Sequence, residues 1–332
     1  MRRIFVAVAL ALTAWAPAGQ TASAGHLTTV DIGGAGSTLL YGINSKGQVA
    51  GLDGSAFVLE KDGTVVSWTV PSAFVVNLAG INVHGEVAGT AGINCGDGTN
   101  CKEGFFRSAD GAISTFFASG QPNDNTGVSA INAKGQTAGE FADSSHLSRG
   151  FIRQPDGTVR VVDAPGANFT SLTALNDRGY AAGSFNDGAW HGLLVAPNGK
   201  QTVIDIPGAQ DPGIVGLNND GWITGWYYND DYSASTGYVR APDGTITPIN
   251  IDGASYVITA SINKSGDVAG YYRLGKHIFG FVRWSSGEIT TIKVKRGSTE
   301  PACIDDHGRV VGTYLLKERF GSTKYYGFIW RS

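Results

Sequence analysis

The apolar positions of this chain come in short β-prone runs, each broken by a polar turn. Residues Ile131 to Gly139, "INAKGQTAG", show the unit: an apolar approach, Asn-x-x-Gly, and an apolar return. The unit occurs seven times without gaps: "INSKGQVAG" from Ile43, "INVHGEVAG" from Ile81, "INAKGQTAG" from Ile131, "LNDRGYAAG" from Leu175, "LNNDGWITG" from Leu217, "INKSGDVAG" from Ile262 and "IDDHGRVVG" from Ile304. Successive starts lie 38, 50, 44, 42, 45 and 42 residues apart. A period of this size indicates a solenoid, a propeller or an array. Each copy predicts a hairpin, because Asn can hydrogen-bond the backbone two residues on and Gly takes the positive φ that closes the turn. The residue before each Ile or Leu is small: Gly42, Gly80, Ala130, Ala174, Gly216, Ser261 and Cys303. A crowded position explains Cys303 as a packing residue more simply than as a nucleophile.

A second signature follows each hairpin. Phe57, Phe105, Phe151, Leu193, Tyr238, Phe281 and Phe328 form a column, six of them preceded by Gly. Five residues on, Asp-Gly, Asn-Gly or Ser-Gly marks another tight turn in six copies. A further strand follows, such as "TVIDI" at Thr202 to Ile206. Each repeat therefore predicts four short antiparallel strands, A to D, which is the content of a propeller blade. The seventh copy stops after strand C, at Trp330, while "TTVDIGGA" at Thr28 to Ala35 matches "TVIDIPGA" at Thr202 to Ala209. The expected fold is thus all-β: a seven-bladed β-propeller forming one domain over residues 25–332, closed by the N-terminal strand. Closure would remove the exposed edges of an open array.

Composition adds compartment and partners. Arg2 and Arg3, the apolar run Ile4 to Trp15 and Ala22-Ser23-Ala24 read as a signal peptide over residues 1–24. No segment approaches the ~20 apolar residues that span a bilayer, so a secreted or periplasmic protein without membrane insertion is expected. Loss of Arg2 and Arg3 takes the formal charge from −3 to −5, and no Lys/Arg cluster stands out, which argues against nucleic acid. Cys95 and Cys101 flank "GDGTN". In an exported chain they read as a loop-closing disulfide; the alternative, zinc, lacks a second ligand pair of matching spacing. No metal or cofactor is expected.

The repeats resemble those of the HAF-repeat family of secreted bacterial proteins, with "LNDRGYAAG…WHGLLVAPNG", Leu175 to Gly199, a close match. The resemblance implies an extracellular or envelope location. It carries over no catalytic residue, since the motif describes turns and packing.

Loop lengths distinguish the two ends of the strands. The A–B and C–D turns are constant, and all variation falls in the B–C and D–A loops, which share one end. Loops held by a rigid scaffold carry function. That end brings Trp190, His191, Tyr227, Tyr272, Arg273, His277 and Arg319 from B–C loops and Tyr256, Arg296 and Glu300 from D–A loops. Aromatic rings with polar tips suit hydroxyl-rich ligands and protein surfaces alike. Against this, Phe141, Phe185, Tyr227, Tyr272 and Tyr314 recur as a column after the hairpin, which reads as packing between blades, and His191 occupies the motif's own His position. No nucleophile elbow, zinc-helix motif or phosphate loop appears. The expected function is binding of a glycan, another small polar ligand or an envelope component. The alternatives are a polysaccharide lyase or hydrolase using His277, Tyr272 and Arg273 as base, acid and carboxylate clamp, and a protein-interaction scaffold.

Overall fold

The computed structural model describes residues 25–33, 36–95, 99–121, 124–142, 145, 147–295, 297–317 and 323–332. Every helix or strand assigned among them is a β-strand. The chain divides into two compact units, one of residues up to Ser67 with Asp220–Ser332, the other of Trp68–Asn219.

In the second unit the fourth repeat shows the pattern. Strands Phe169–Leu175, Ala181–Asn186, Trp190–Val195 and Gln201–Ile204 pair antiparallel in chain order. The second repeat (Ala73–Ile81, Val87–Asn94, Asn100–Arg107, Ile113–Phe116) and the third (Gly127–Ile131, Thr137–Ala142, Ser148–Arg153, Val159–Val162) pair the same way. A single parallel bridge, Ser148 to Phe169, joins the third sheet to the fourth.

In the first unit the sixth repeat runs Tyr256–Ile262, Val268–Leu274, His277–Arg283 and Ile289–Ile292. The seventh supplies Gly297–Ile304, Val310–Lys317 and Thr323–Arg331, and its fourth strand is His26–Val30, with Thr29 opposite Phe328. The N-terminal segment therefore completes the last sheet, as its likeness to the other D strands predicts.

The motif's last glycine and its aromatic column form one device. In all seven repeats the strand B glycine lies opposite the strand C column residue: Gly51–Phe57, Gly89–Phe105, Gly139–Phe151, Gly183–Leu193, Gly225–Tyr238, Gly270–Phe281 and Gly312–Phe328. Strand A carries a bulge at the same place in the first four and last two repeats, for example between Leu172 and Ala174. An extra residue bends the strand toward its neighbour. A Cβ on Gly183 would stand 1.9 Å from the Ser171 carbonyl oxygen, so no side chain fits there.

The column aromatics fill the space between sheets. Phe141 and Phe151 pack with Ala88 and Ala118 of the preceding repeat, and Phe185 and Leu193 with Ala138 and Ile152. Tyr272 and Phe281 pack with Val239 and Ile249, and Tyr314 and Phe328 with Ala269 and Val282. Burial of each such side chain contributes roughly 1.5–3 kcal/mol. The small residue after the bulge faces the following repeat: Ser261 Oγ accepts from Ile304 N at 2.8 Å, and Cys303 Sγ lies 4.0 Å from Ile43 O. Cys303 is free, and burial pushes its thiol pKa up. It packs as its position in the repeat predicts. Cys95 and Cys101 form the disulfide, with Cα atoms 5.9 Å apart.

At the A–B turns the Asn side chain works twice. Asn132 Oδ1 accepts from Lys134 N and Gln136 N within its own turn, and Asn132 Nδ2 donates to Asn176 O of the next repeat at 2.9 Å. Asn82 reaches Asn132 O, Asn176 reaches Asn218 O, and Asn263 reaches Asp305 O in the same manner. The seventh repeat has Asp305 here, which accepts from His307 N and Arg309 N but has no amide to donate. Arg309 supplies the donor. Its Nε donates to Asp305 Oδ2 at 2.6 Å, and its Nη2 to Asn44 O at 3.3 Å and Ser45 O at 3.2 Å.

Candidate functional site

The parity of strand B decides which loop-end aromatics are available. Adjacent residues of a strand face opposite ways. Two residues beyond the motif glycine, on the glycine's own face, come Phe141, Phe185, Tyr272 and Tyr314, all at 6 % exposure or less. One residue and three residues beyond it come Trp226 and Tyr228 in the fifth repeat and Tyr271 and Arg273 in the sixth, on the other face. That face abuts strand A of the following repeat. Trp226 lies opposite Gly237, where a Cβ would meet Val257 and Thr259, and Thr259 Oγ1 donates to Gly225 O at 2.9 Å. Tyr271 lies opposite Gly280, where a Cβ would meet Pro301 Cγ at 2.8 Å. Tyr271 is thus aimed at the strand that carries Glu300.

The half-buried rings of Trp226 and Tyr228 meet edge to face at 5.2 Å, and Tyr228 meets exposed Tyr232 at 5.4 Å. Burial raises the Tyr271 phenol, and the charge of Glu300 and the neighbouring Tyr228 push it further. Glu300 reaches water from strand A, yet surrounding protein desolvates its carboxyl and raises its pKa. No described residue forms a hydrogen bond or ion pair with it. Arg273 is exposed and already engaged: its guanidinium lies 4.1 Å over the Tyr256 ring and its Nε donates to Ser255 Oγ at 3.1 Å.

The expected residues separate on this geometry. Tyr272 is buried, its hydroxyl 3.2 Å from Thr291 Oγ1 and its ring against Phe279 and Phe281. The strand register places His277 opposite Leu274 and Arg273 opposite Ile278. His277 therefore shares the face of Tyr272, beside Phe279, while Arg273 faces the other way. The arrangement of His277, Tyr272 and Arg273 as base, acid and clamp is not formed, because a strand cannot turn consecutive side chains to one side. Half-buried Tyr227 tilts against Tyr238. Arg296 and Arg319 lie outside the described residues.

Trp190 and His191 belong to a separate place in the fourth repeat. Trp190, 38 % exposed, packs edge-on against Phe169. His191 stacks on Phe185 at 4.9 Å, with Nδ1 2.7 Å from Asp205 Oδ1 and Nε2 3.3 Å from Asp187 Oδ1. The hydrogen bond to Asp205, with Asp187 beside it, raises the imidazole pKa. His191 ties the B–C loop to the end of strand D, a role within its own repeat. Among the described residues no group of three or more His, Cys, Asp or Glu could hold a metal ion.

Trp226, Tyr228 and Tyr271 lie in the same loop-end stretches as the column aromatics, and counting parity from Gly225 and Gly270 separates them, since each glycine's face is already filled by its aromatic partner.

No sequence-family profile matches the chain, and no curated protein does. Solved structures do. Streptogramin B lyase is 15 % identical with a TM-score of 0.58, over 92 % of this chain and 97 % of that one. An acylaminoacyl peptidase of Pyrococcus horikoshii is 10 % identical with a TM-score of 0.58, over 87 % of this chain and 51 % of that one. A puromycin hydrolase is 13 % identical with a TM-score of 0.58, over 91 % of this chain and 52 % of that one. The chain spans about half the length of the latter two. Together with the four-stranded antiparallel sheets, these likenesses define the protein as a β-propeller.

Proposed function

We propose that the chain is an exported seven-bladed propeller that binds a glycan at the loop end of its sheets. The observation that carries this reading is the run of rings at that end, Trp226 with Tyr228, Tyr228 with Tyr232, and Tyr271 aimed at the strand of Glu300. Aromatic faces stack on the apolar faces of sugar rings while phenol and carboxyl groups meet the hydroxyls. The disulfide supports an oxidising compartment, and among the described residues no helix is long and apolar enough to cross a membrane. The leader-like segment lies outside the described residues. The lyase and hydrolase among the similar structures share the fold, and a fold hosts binding and catalysis alike.

Affinity electrophoresis against a panel of neutral and acidic polysaccharides tests the reading. At least one polysaccharide should retard the native protein, and Tyr228→Ala should relieve the retardation. Free migration through every gel would overturn it. A protein partner is the second reading, favoured by Phe74 and Val75, which stand 61 % and 50 % exposed on one strand. Capture of an envelope protein that is lost with Phe74→Ser would favour that reading instead.

A further inference from the structure

We propose that Tyr228 and Tyr232 form a tilted two-ring platform that selects a glycan whose successive sugar rings turn relative to one another, and that the left-handed backbone at Tyr232 sets the tilt. The proposal rests on the glycan reading above and deepens it. Three observations converge. The ring centroids of Tyr228 and Tyr232 lie 5.4 Å apart with planes 46° from parallel, and Trp226 stands at 78° to Tyr228, so the three rings share no plane. Tyr232 has a φ of 58°, where the B–C turns of the first, fourth and sixth repeats use Gly54, Gly188 and Gly275 at 70°, 123° and 59°. The loop holds that conformation from within. Tyr232 N donates to Asn229 O at 3.0 Å, Ala234 N to Asn229 Oδ1 at 3.0 Å, Ser233 N to Asp231 Oδ1 at 2.9 Å and Asn229 Nδ2 to Ser233 Oγ at 3.0 Å.

A side chain at positive φ crowds its Cβ against the backbone, a strain that Gly avoids. Strain of this kind collects where a side chain is held for a ligand. Packing does not account for it at Tyr232, whose side chain is left 48 % exposed. Stacking requires a ring face to lie parallel to the sugar it covers. A flat ribbon such as β-1,4-linked glucan covers two rings only when those rings are themselves coplanar. Across planes 46° apart it covers one. A chain that turns between sugars, as α-1,4- and β-1,3-linked glucans do, can present a sugar face to each ring. The tilt therefore favours the turning chain and disfavours the flat one.

Titration calorimetry with three glucose hexamers that differ only in linkage tests this: maltohexaose (α-1,4), laminarihexaose (β-1,3) and cellohexaose (β-1,4). The native protein should bind at least one of the first two about tenfold more tightly than cellohexaose. Tyr232→Gly keeps the backbone conformation and removes the ring, so it should lose that preference without lowering the melting temperature. Tyr232→Phe keeps the ring and should keep the preference. Equal binding of all three hexamers, or a preference for cellohexaose, would overturn the tilted platform and leave the glycan reading standing. A Tyr232→Gly protein that binds like the native one would overturn the role of Tyr232. Binding of none of the three would overturn the proposal, while the glycan reading would still stand or fall on the polysaccharide panel.

Discussion

The turn after strand A and the loop after strand B leave opposite ends of the same strand and obey different rules. At the turn, the same Asn side chain closes its own hairpin and ties the next repeat, as Asn82, Asn132, Asn176 and Asn263 do. At the loop, the fourth repeat clamps His191 between two aspartates, the fifth lines up Trp226, Tyr228 and Tyr232, and the sixth stacks Arg273 on Tyr256. Uniform chemistry marks the end where every repeat solves one packing problem. Varied chemistry marks the end that packing leaves unconstrained. The seventh repeat sharpens the contrast, because when its turn loses the Asn, Arg309 restores the tie by another route.

The largest effect should come from removing the strand that completes the seventh sheet. A chain beginning at Ser37 lacks His26–Val30 and exposes the edge of Thr323–Arg331. The loss should be on the order of 5 kcal/mol, measured by urea unfolding. A truncated chain that unfolds at the same urea concentration as the native one would contradict that role.

Next is the substituted tie. Asp305 and Arg309 have side chains only 1 % and 15 % exposed. Arg309→Gln strands a buried carboxylate and should cost about 3 kcal/mol. Adding Asp305→Asn recreates the Asn–Gln pair of the first and third repeats, where Asn44 and Asn132 donate to Gln48 and Gln136. Most of the loss should return. A double variant as unstable as the single one would show that the arginine acts in some other way.

These ties also show how far the sequence is readable. Repeat, strand order, the completing N-terminal strand and the disulfide all follow from local patterns, because turns and glycine–aromatic pairs are short-range devices. The proposed binding residues do not. Tyr271 and Tyr272 are chemically identical and adjacent, and only the register against Gly280 and Phe279 sends one to the loop-end cluster and the other into the core. Arg273 and His277 look like partners until the same register separates them. The donor role of Arg309 was equally hidden, since it depends on a carbonyl 265 residues away.

A smaller, pH-dependent effect belongs to His191. Its pKa is raised in the fold by Asp205 and then Asp187. A group raised above its unfolded value contributes fully below that value, about 6.5 for His, and the contribution fades as pH climbs through the raised one. The side chain is 24 % exposed, so solvent trims the effect. The gap in melting temperature between the native protein and His191→Gln should narrow from about pH 5 to about pH 9. The stacking on Phe185 leaves a constant remainder. A gap that widens with pH would contradict the clamp.

The division of labour between the two ends is tested most directly by one paired measurement. Tyr232→Asn with Glu300→Gln alters the loop end; Asn accepts the positive φ of 58° at residue 232. Lys46→Ala with Lys134→Ala alters the turn end at exposed side chains. Melting temperature and affinity for the best polysaccharide are then read on both. The loop-end pair should lose about tenfold in affinity, roughly 1.4 kcal/mol, and melt within about 0.5 kcal/mol of the native protein. The turn-end pair should change neither. Affinity lost from the turn-end pair and kept by the loop-end pair would contradict the assignment of binding to the loop end.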